Sequence, residues 1–281
     1  MQPVYYLTKN VTVDSLTHTV FYRESGEKTE PTILLVHGFP SSSHMFRNLI
    51  TRLNNDFHVV AADLPGFGQT QSPAGYKYTF ASAARVSETF FFGPDGVVPA
   101  GRAVTLLIHD YGGPVVFRLH HSNPTRVAAF IVQNANAYAA GLAPAFQSII
   151  DYGNDQSEVN ERSMRNKLTF ETTKSQFLHG MPAVTLVSPD AINSCQYMLN
   201  TPGNDAIQLS YFADYNSNIA LYDTWQESTG HAGSWSGLFK ADAIRTHYEY
   251  LDTGHFPLED PTALERAANA ILEHLPRLLQ L

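Results

Sequence analysis

The stretch Thr105-Leu106-Leu107-Ile108-His109-Asp110-Tyr111-Gly112-Gly113-Pro114 decides how the rest of this chain is read. Its aliphatic and β-branched residues suit a buried strand. The run stops at His109-Asp110, and Pro114-Val-Val-Phe-Arg-Leu-His120 follows with helical spacing. Strand, one polar residue on a turn too tight for a large neighbour, then helix is the geometry that lifts a nucleophile clear of a sheet. Asp110 stands at the tip. A carboxylate so placed can attack carbon and form an ester, which a second residue must help water to cleave. The pattern predicts a two-step hydrolase. The competing reading is that Asp110 merely caps the following helix, since Asp caps well and Pro114 suits a first turn.

Three further segments, in order along the chain, favour the first reading. Ile33-Leu-Leu-Val-His37-Gly38-Phe39-Pro40 is a strand running into a His-Gly turn. A helix follows with Ser43 as its expected cap and Met45, Leu49 and Leu53 on one face. Gly38 lets the backbone approach a ligand closely. That leaves the N–H groups of Phe39 and Tyr111 as expected oxyanion donors. His58-Val-Val-Ala-Ala-Asp63-Leu-Pro-Gly66-Phe-Gly68 is a second strand with a Gly-rich turn. Tyr248-Glu-Tyr-Leu-Asp-Thr-Gly254-His255-Phe-Pro is a third, with a helix expected from about Pro261 to Leu279.

Together these motifs resemble the α/β-hydrolase fold, specifically the aspartate-nucleophile branch that holds epoxide hydrolases and haloalkane dehalogenases. The resemblance covers nearly the whole chain, more weakly across 80–102 and 226–247. It implies an α/β architecture, a mostly parallel, doubly wound sheet with an inserted helical cap. The core domain is expected at 1–137 and 224–281, with the cap at 138–223.

Composition sets the outer bounds. A chain of 281 residues can bury a large core, and one domain of this size is ordinary. The net charge of −8, with no basic cluster, argues against nucleic-acid binding. Cys195 is the sole cysteine, so intrachain disulfides and thiolate metal sites are excluded, and a small buried helical residue is its expected role. The N-terminus lacks the apolar core of a signal peptide, and no apolar run approaches a membrane span. A soluble cytoplasmic protein follows as the expectation. The twelve histidines lack paired zinc spacing, and His120 and His121 point apart on a helix. No cofactor or metal is expected. The expected partner is a small hydrophobic substrate, and a homodimer is left open.

Along the chain, strands are expected at 4–7, at 11–22 with a turn inside, and at 33–36, and strand-helix alternation continues to about Asn134. From about Tyr138 to Asp223 the alternation stops. Helical patches fall near 142–152, 156–168, 171–178, 189–199 and 204–215, in a segment rich in Asn and Tyr. Gly233-Ser-Trp-Ser-Gly237 imitates a serine elbow, but Trp235 occupies the nucleophile position and no strand run precedes it.

In chemical terms, Asp110 would attack as a carboxylate already ionised at neutral pH, so the first step needs no base. His255, 145 positions later, would activate water against the ester. The triad acid is where the chain departs from the family. The seventh-strand region looks shortened, by roughly one strand and one helix, and Asp242 is the best remaining candidate there. Some relatives carry the acid after the sixth strand, where this chain has Gln133-Asn134; Asn134 could hold an imidazole without charge. Tyr111 follows the nucleophile where dehalogenases commonly place Trp, which counts against halide chemistry. The His-Gly-Phe-Pro turn and the cap tyrosines suit epoxide opening. Tyr211 and Tyr215, on one helical face at i,i+4, are the expected donors, with His37 as a further substrate contact. The alternatives are a haloalkane or haloacid dehalogenase, and a catalytically lapsed member that binds a small ligand.

Overall fold

The computed structural model describes residues 2–228 and 251–280. Its centre is a six-stranded sheet in the order β1-β2-β4-β3-β5-β6, formed by β1 (Tyr5–Val13), β2 (Leu16–Ser25), β3 (Thr32–Val36), β4 (His58–Ala62), β5 (Val104–His109) and β6 (Val127–Gln133). The β1–β2 pair is an antiparallel hairpin, and β2 meets β4 antiparallel. The β4–β3, β3–β5 and β5–β6 pairs are parallel. Asp14 and Ser15, at φ 49° and 66°, make the two-residue turn of the hairpin, where both central residues need positive φ. The first strand therefore runs unbroken through Thr8-Lys9-Asn10, polar residues that an edge strand tolerates, instead of stopping at Leu7.

Alternation along the parallel strands builds two cores. Leu34, Val36, Leu106 and Ile108 face one side of the sheet; Ile33, Leu35 and Leu107 face the other. The first side is covered by α2 (Phe80–Phe92) and α3 (Gly112–Ser122), the second by α1 (Arg47–Leu53) and the C-terminal helix Pro261–Leu279. A short 3-10 turn, Ser43–Phe46, precedes α1, and its cap is Ser42, not Ser43. Ser43 is committed elsewhere: its N–H donates to Asp63 Oδ1 at 2.7 Å and its hydroxyl accepts from Arg23 Nε at 3.1 Å.

After β6 the chain leaves the sheet for a helical cap: α4 (Gln147–Asn154), α5 (Glu158–Asn166), α6 (Phe170–Leu178), α7 (Pro189–Leu199), α8 (Asn204–Asp214), α9 (Asn216–Ile219) and α10 (Tyr222–Ser228). The cap divides between the two cores. Phe177, Met181, Ile192 and Cys195 join the α1 side, while Tyr152, Met164, Phe212 and Tyr215 join the α2 side. Cys195 is buried, and burial pushes its thiol up to about 12, as for an inert packing residue. The chain closes with α11 (Pro261–Leu279), capped by Asp260, whose Oδ1 accepts from Ala263 N at 2.8 Å. No helix among the described residues is long and apolar enough to cross a membrane. The seventh-strand region expected to be shortened, the Gly233–Gly237 sequence, Asp242 and the start of the strand expected before Gly254 lie outside the described residues.

Candidate active site

Strand order reverses at β3: β4 lies on one side of it and β5 on the other. In parallel α/β sheets the crevice beyond such a reversal, at the carboxyl ends of the strands, is where ligands bind. Val36 pairs with Ile108, so β3 and β5 end level, and the turns His37-Gly38-Phe39 and Asp110-Tyr111 meet there.

Asp110 sits on its turn at φ 48°, a left-handed conformation that non-glycine residues adopt rarely. It does not cap α3, whose N-cap is Tyr111 with no side-chain cap bond. Its carboxylate instead receives backbone N–H groups. Phe39 N donates to Oδ1 at 2.8 Å, and Tyr111 N also bonds the carboxylate. Two glycines permit the approach. A methyl group on Gly38 would stand 2.5 Å from Asp110 Oδ1 and from Tyr111 N, and one on Gly112 would collide with the Val36 carbonyl. Burial pushes the Asp110 carboxyl up, while His255 and the Tyr111 and Phe39 N–H groups pull it down.

His255 Nε2 lies 3.8 Å from Asp110 Oδ2, the oxygen not bonded by Phe39. Both side chains are partly accessible, at 30% and 18% exposure. Burial lowers the His255 pKa from its ordinary value, with Asp110 partly opposing, which favours the uncharged ring. Its ring centroid is 4.7 Å from that of His109 and 4.9 Å from that of Phe256, the latter edge-on. Asn134, at the end of β6 and at φ 47°, donates Nδ2 to the His255 carbonyl at 2.8 Å. Its amide thus holds the backbone of His255 and not the imidazole, the contact the sequence leaves open. Among the described residues no carboxylate besides Asp110 pairs with His255. The expected acid, Asp242, lies outside them.

Two other expectations are corrected. His37 is fully buried and both ring nitrogens are used: Nε2 accepts from Leu64 N at 2.9 Å and Nδ1 lies 3.1 Å from the Gly38 carbonyl. It braces the two turns and has no atom left for substrate. Tyr211 and Tyr215 do share a side, with rings 6.4 Å and 5.9 Å from that of Tyr111, but their hydroxyls part company. Tyr211 donates to the Pro65 carbonyl at 2.8 Å, whereas the Tyr215 hydroxyl lies 3.4 Å from that of Tyr222. Burial raises the Tyr215 pKa well above its ordinary value, and the nearby charge of Asp110 adds to this. Tyr111 is buried with its hydroxyl unpartnered among the described residues, walled by the rings of Phe39 and Phe80.

Sequence reasoning did not single out Tyr222, Asn136, which donates to the Tyr222 hydroxyl at 3.4 Å, or His109, whose buried Nε2 has no partner among the described residues. The helix breaks between Tyr215 and Tyr222, after α9 and before α10, so no helical spacing signalled the first. No group of three or more metal-ligating side chains occurs among the described residues.

Comparison with known proteins agrees with this geometry. A family model described as the alpha/beta hydrolase fold matches residues 31–261. An uncharacterised hydrolase of Saccharomyces cerevisiae is 34% identical over 260 residues, covering 85% of this chain and 88% of the yeast protein. A haloalkane dehalogenase of Mesorhizobium japonicum is 34% identical over 126 residues, but that match spans only 45% of this chain and 38% of the dehalogenase. Among solved structures, the epoxide hydrolase CorEH superposes with a TM-score of 0.69 over 98% of this chain and 100% of its own, at 16% identity, a likeness of fold. The chain belongs to the α/β-hydrolase fold family, as a hydrolase.

Proposed function

We propose that the protein opens small hydrophobic epoxides through a covalent ester on Asp110. The observation that carries this reading is the division of the Asp110 carboxylate. Oδ1 is held by the Phe39 N–H, and Oδ2 is turned toward His255.

In the first step Oδ2 attacks an epoxide carbon and the C–O bond of the ring breaks. The ring oxygen takes a proton from a cap hydroxyl, on this reading that of Tyr215 backed by Tyr222. His255 Nε2 then removes a proton from water, and the resulting hydroxide attacks Asp110 Cγ. Negative charge develops on Oδ1, where the N–H of Phe39 already points, with the N–H of Tyr111 also at the carboxylate. The ester breaks at Cγ, and His255 returns its proton to the departing oxygen of the diol. The carboxylic acid left behind returns its proton to the tyrosinate, so one water is consumed per epoxide.

One turnover in 18O-labelled water tests this. The diol should leave unlabelled, with the heavy oxygen in the Asp110 peptide. Label in the diol at first turnover would mean that water attacks the epoxide directly, and the covalent reading would fall. The same carboxylate could displace halide, and the partial match to haloalkane dehalogenases is the observation on that side. Halide release with turnover of halogenated alkanes and none of epoxides would move the assignment there.

A further inference from the structure

We propose that cap residues 177–181 position the base, so that this part of the cap governs hydrolysis of the ester and not its formation. This rests on the covalent reading above.

Contacts between the cap and the His255 loop are close and consecutive. Phe256 meets the His255 ring edge-on, and against Phe177, near the end of α6, it lies face to face at 4.0 Å with 7° between planes. Both phenylalanines are 1% exposed. Beyond α6 the chain turns at Gly180, φ 76°, and runs against the loop that carries the base. A methyl group on Gly180 would stand 3.3 Å from Gly254 Cα, and one on Gly254 would collide with the His179 carbonyl. Thr253 Oγ1 then donates to Met181 Sδ at 3.1 Å. Thr253, Gly254 and Phe256 thus each rest on the cap, while Asn134 holds the His255 carbonyl from the sheet side.

The nucleophile is supported differently. The N–H groups that grip Asp110 belong to the turns after β3 and β5, and neither comes from the cap. Ester formation needs no base. Ester hydrolysis needs the His255 ring aimed at a water that also reaches Asp110 Cγ, and small misplacements of a catalytic group cost rate steeply. Loosening the stack on Phe256 should therefore slow the second step selectively. Phe177 and Met181 are positioning residues on this reading, since they touch neither nucleophile nor base.

The experiment is rapid-quench kinetics with intact-protein mass spectrometry on Phe177→Leu and Thr253→Val, using styrene oxide as the probe and His255→Gln as the reference. In Phe177→Leu, hydrolysis should fall roughly tenfold or more while ester formation stays within about threefold, so that the adduct on Asp110 accumulates. Thr253→Val, a milder change that preserves volume, should show the same split in smaller measure and keeps the test valid if Phe177→Leu does not fold. Equal loss in both steps, or none in either, overturns the inference. An adduct in His255→Gln alone removes this inference and leaves the covalent reading standing. No adduct in any variant removes both.

Discussion

Gly38→Ala tests how tightly the Asp110 carboxylate is fitted. The added methyl would stand 2.5 Å from Oδ1 and from Tyr111 N, and closer still to Asp110 Cβ. Ordinary contacts between such atoms begin near ~3.5 Å, so about 1 Å of displacement is forced on a group held at 2.8 Å by Phe39 N. None of the three neighbours is the free end of a flexible chain. The carboxylate must swing off its donor or the turns must part. Losing one donor to a developing oxyanion costs ~2.7–4 kcal/mol, or roughly 10²- to 10³-fold in rate. The effect should appear most strongly in ester hydrolysis, where charge builds on Oδ1. Overpacking should also destabilise the fold by ~1–3 kcal/mol, a modest drop in Tm. Thermal melts establish that the variant is folded, and single-turnover quench kinetics separate the two steps. A folded Gly38→Ala protein within threefold of wild type in both steps would refute the assigned fit.

Arg47 donates to both oxygens of Glu259 at 2.7 Å, tying α1 to the turn after His255; Arg47→Met would leave the buried carboxylate unpaired, at ~3–5 kcal/mol and roughly 6–20 °C in Tm by differential scanning calorimetry. The acid limb of ester hydrolysis, followed in stopped flow, should fall below pH 6.5, because burial lowers His255 more than Asp110 raises it and the adjoining His109 is held neutral by its own burial. Stability should decline as pH falls below 6.5: His18, His37, His44 (lowered to about 4), His109 and His255 all bind protons more readily unfolded than folded, so a plot of Tm against pH should rise across this window, less steeply in His44→Gln. Tyr215→Phe should slow ester formation from epoxides roughly 10²-fold, whereas Tyr211→Phe should lower Tm and leave that rate near wild type; the reverse pattern would reassign the donor.

The elbow at Asp110 was legible because one short stretch carries every local requirement: a buried strand, a polar tip and two glycines beside it. The C-terminal helix was legible to its ends from Asp260, Pro261 and apolar spacing. What the sequence could not display was where polar atoms point. Helical spacing places Tyr211 and Tyr215 on one side, yet the hydroxyl of Tyr211 is claimed by a carbonyl 146 positions away. His37 follows a strand, where the sequence suggests a substrate contact, but Gly38 and Leu64 consume its nitrogens. Ser41, Ser42 and Ser43 can all cap a helix in principle, and tertiary partners of Ser43 decide for Ser42. Phe177 is hidden for the same reason, since its partner Phe256 lies 79 positions away and no local pattern links them.

Asp110 and Asn134 share one further property, and it bears on how the site is assembled. They end the adjacent parallel strands β5 and β6, and both stand at left-handed φ, 48° and 47°. Such a conformation costs a non-glycine residue on the order of 1–2 kcal/mol and persists only where the surroundings over-determine it. Glycine would adopt it freely, but would supply neither side chain. Both side chains reach the same residue, Asp110 Oδ2 toward the His255 imidazole and Asn134 Nδ2 onto its carbonyl. The left-handed turn carries each side chain off the end of its strand, where an extended residue would point above or below the sheet. His255, on a separate loop remote in sequence from Asp110, is thereby approached at two points from neighbouring strand ends. The left-handed turns after β5 and β6 thus carry the Asp110 carboxylate and the Asn134 amide to His255.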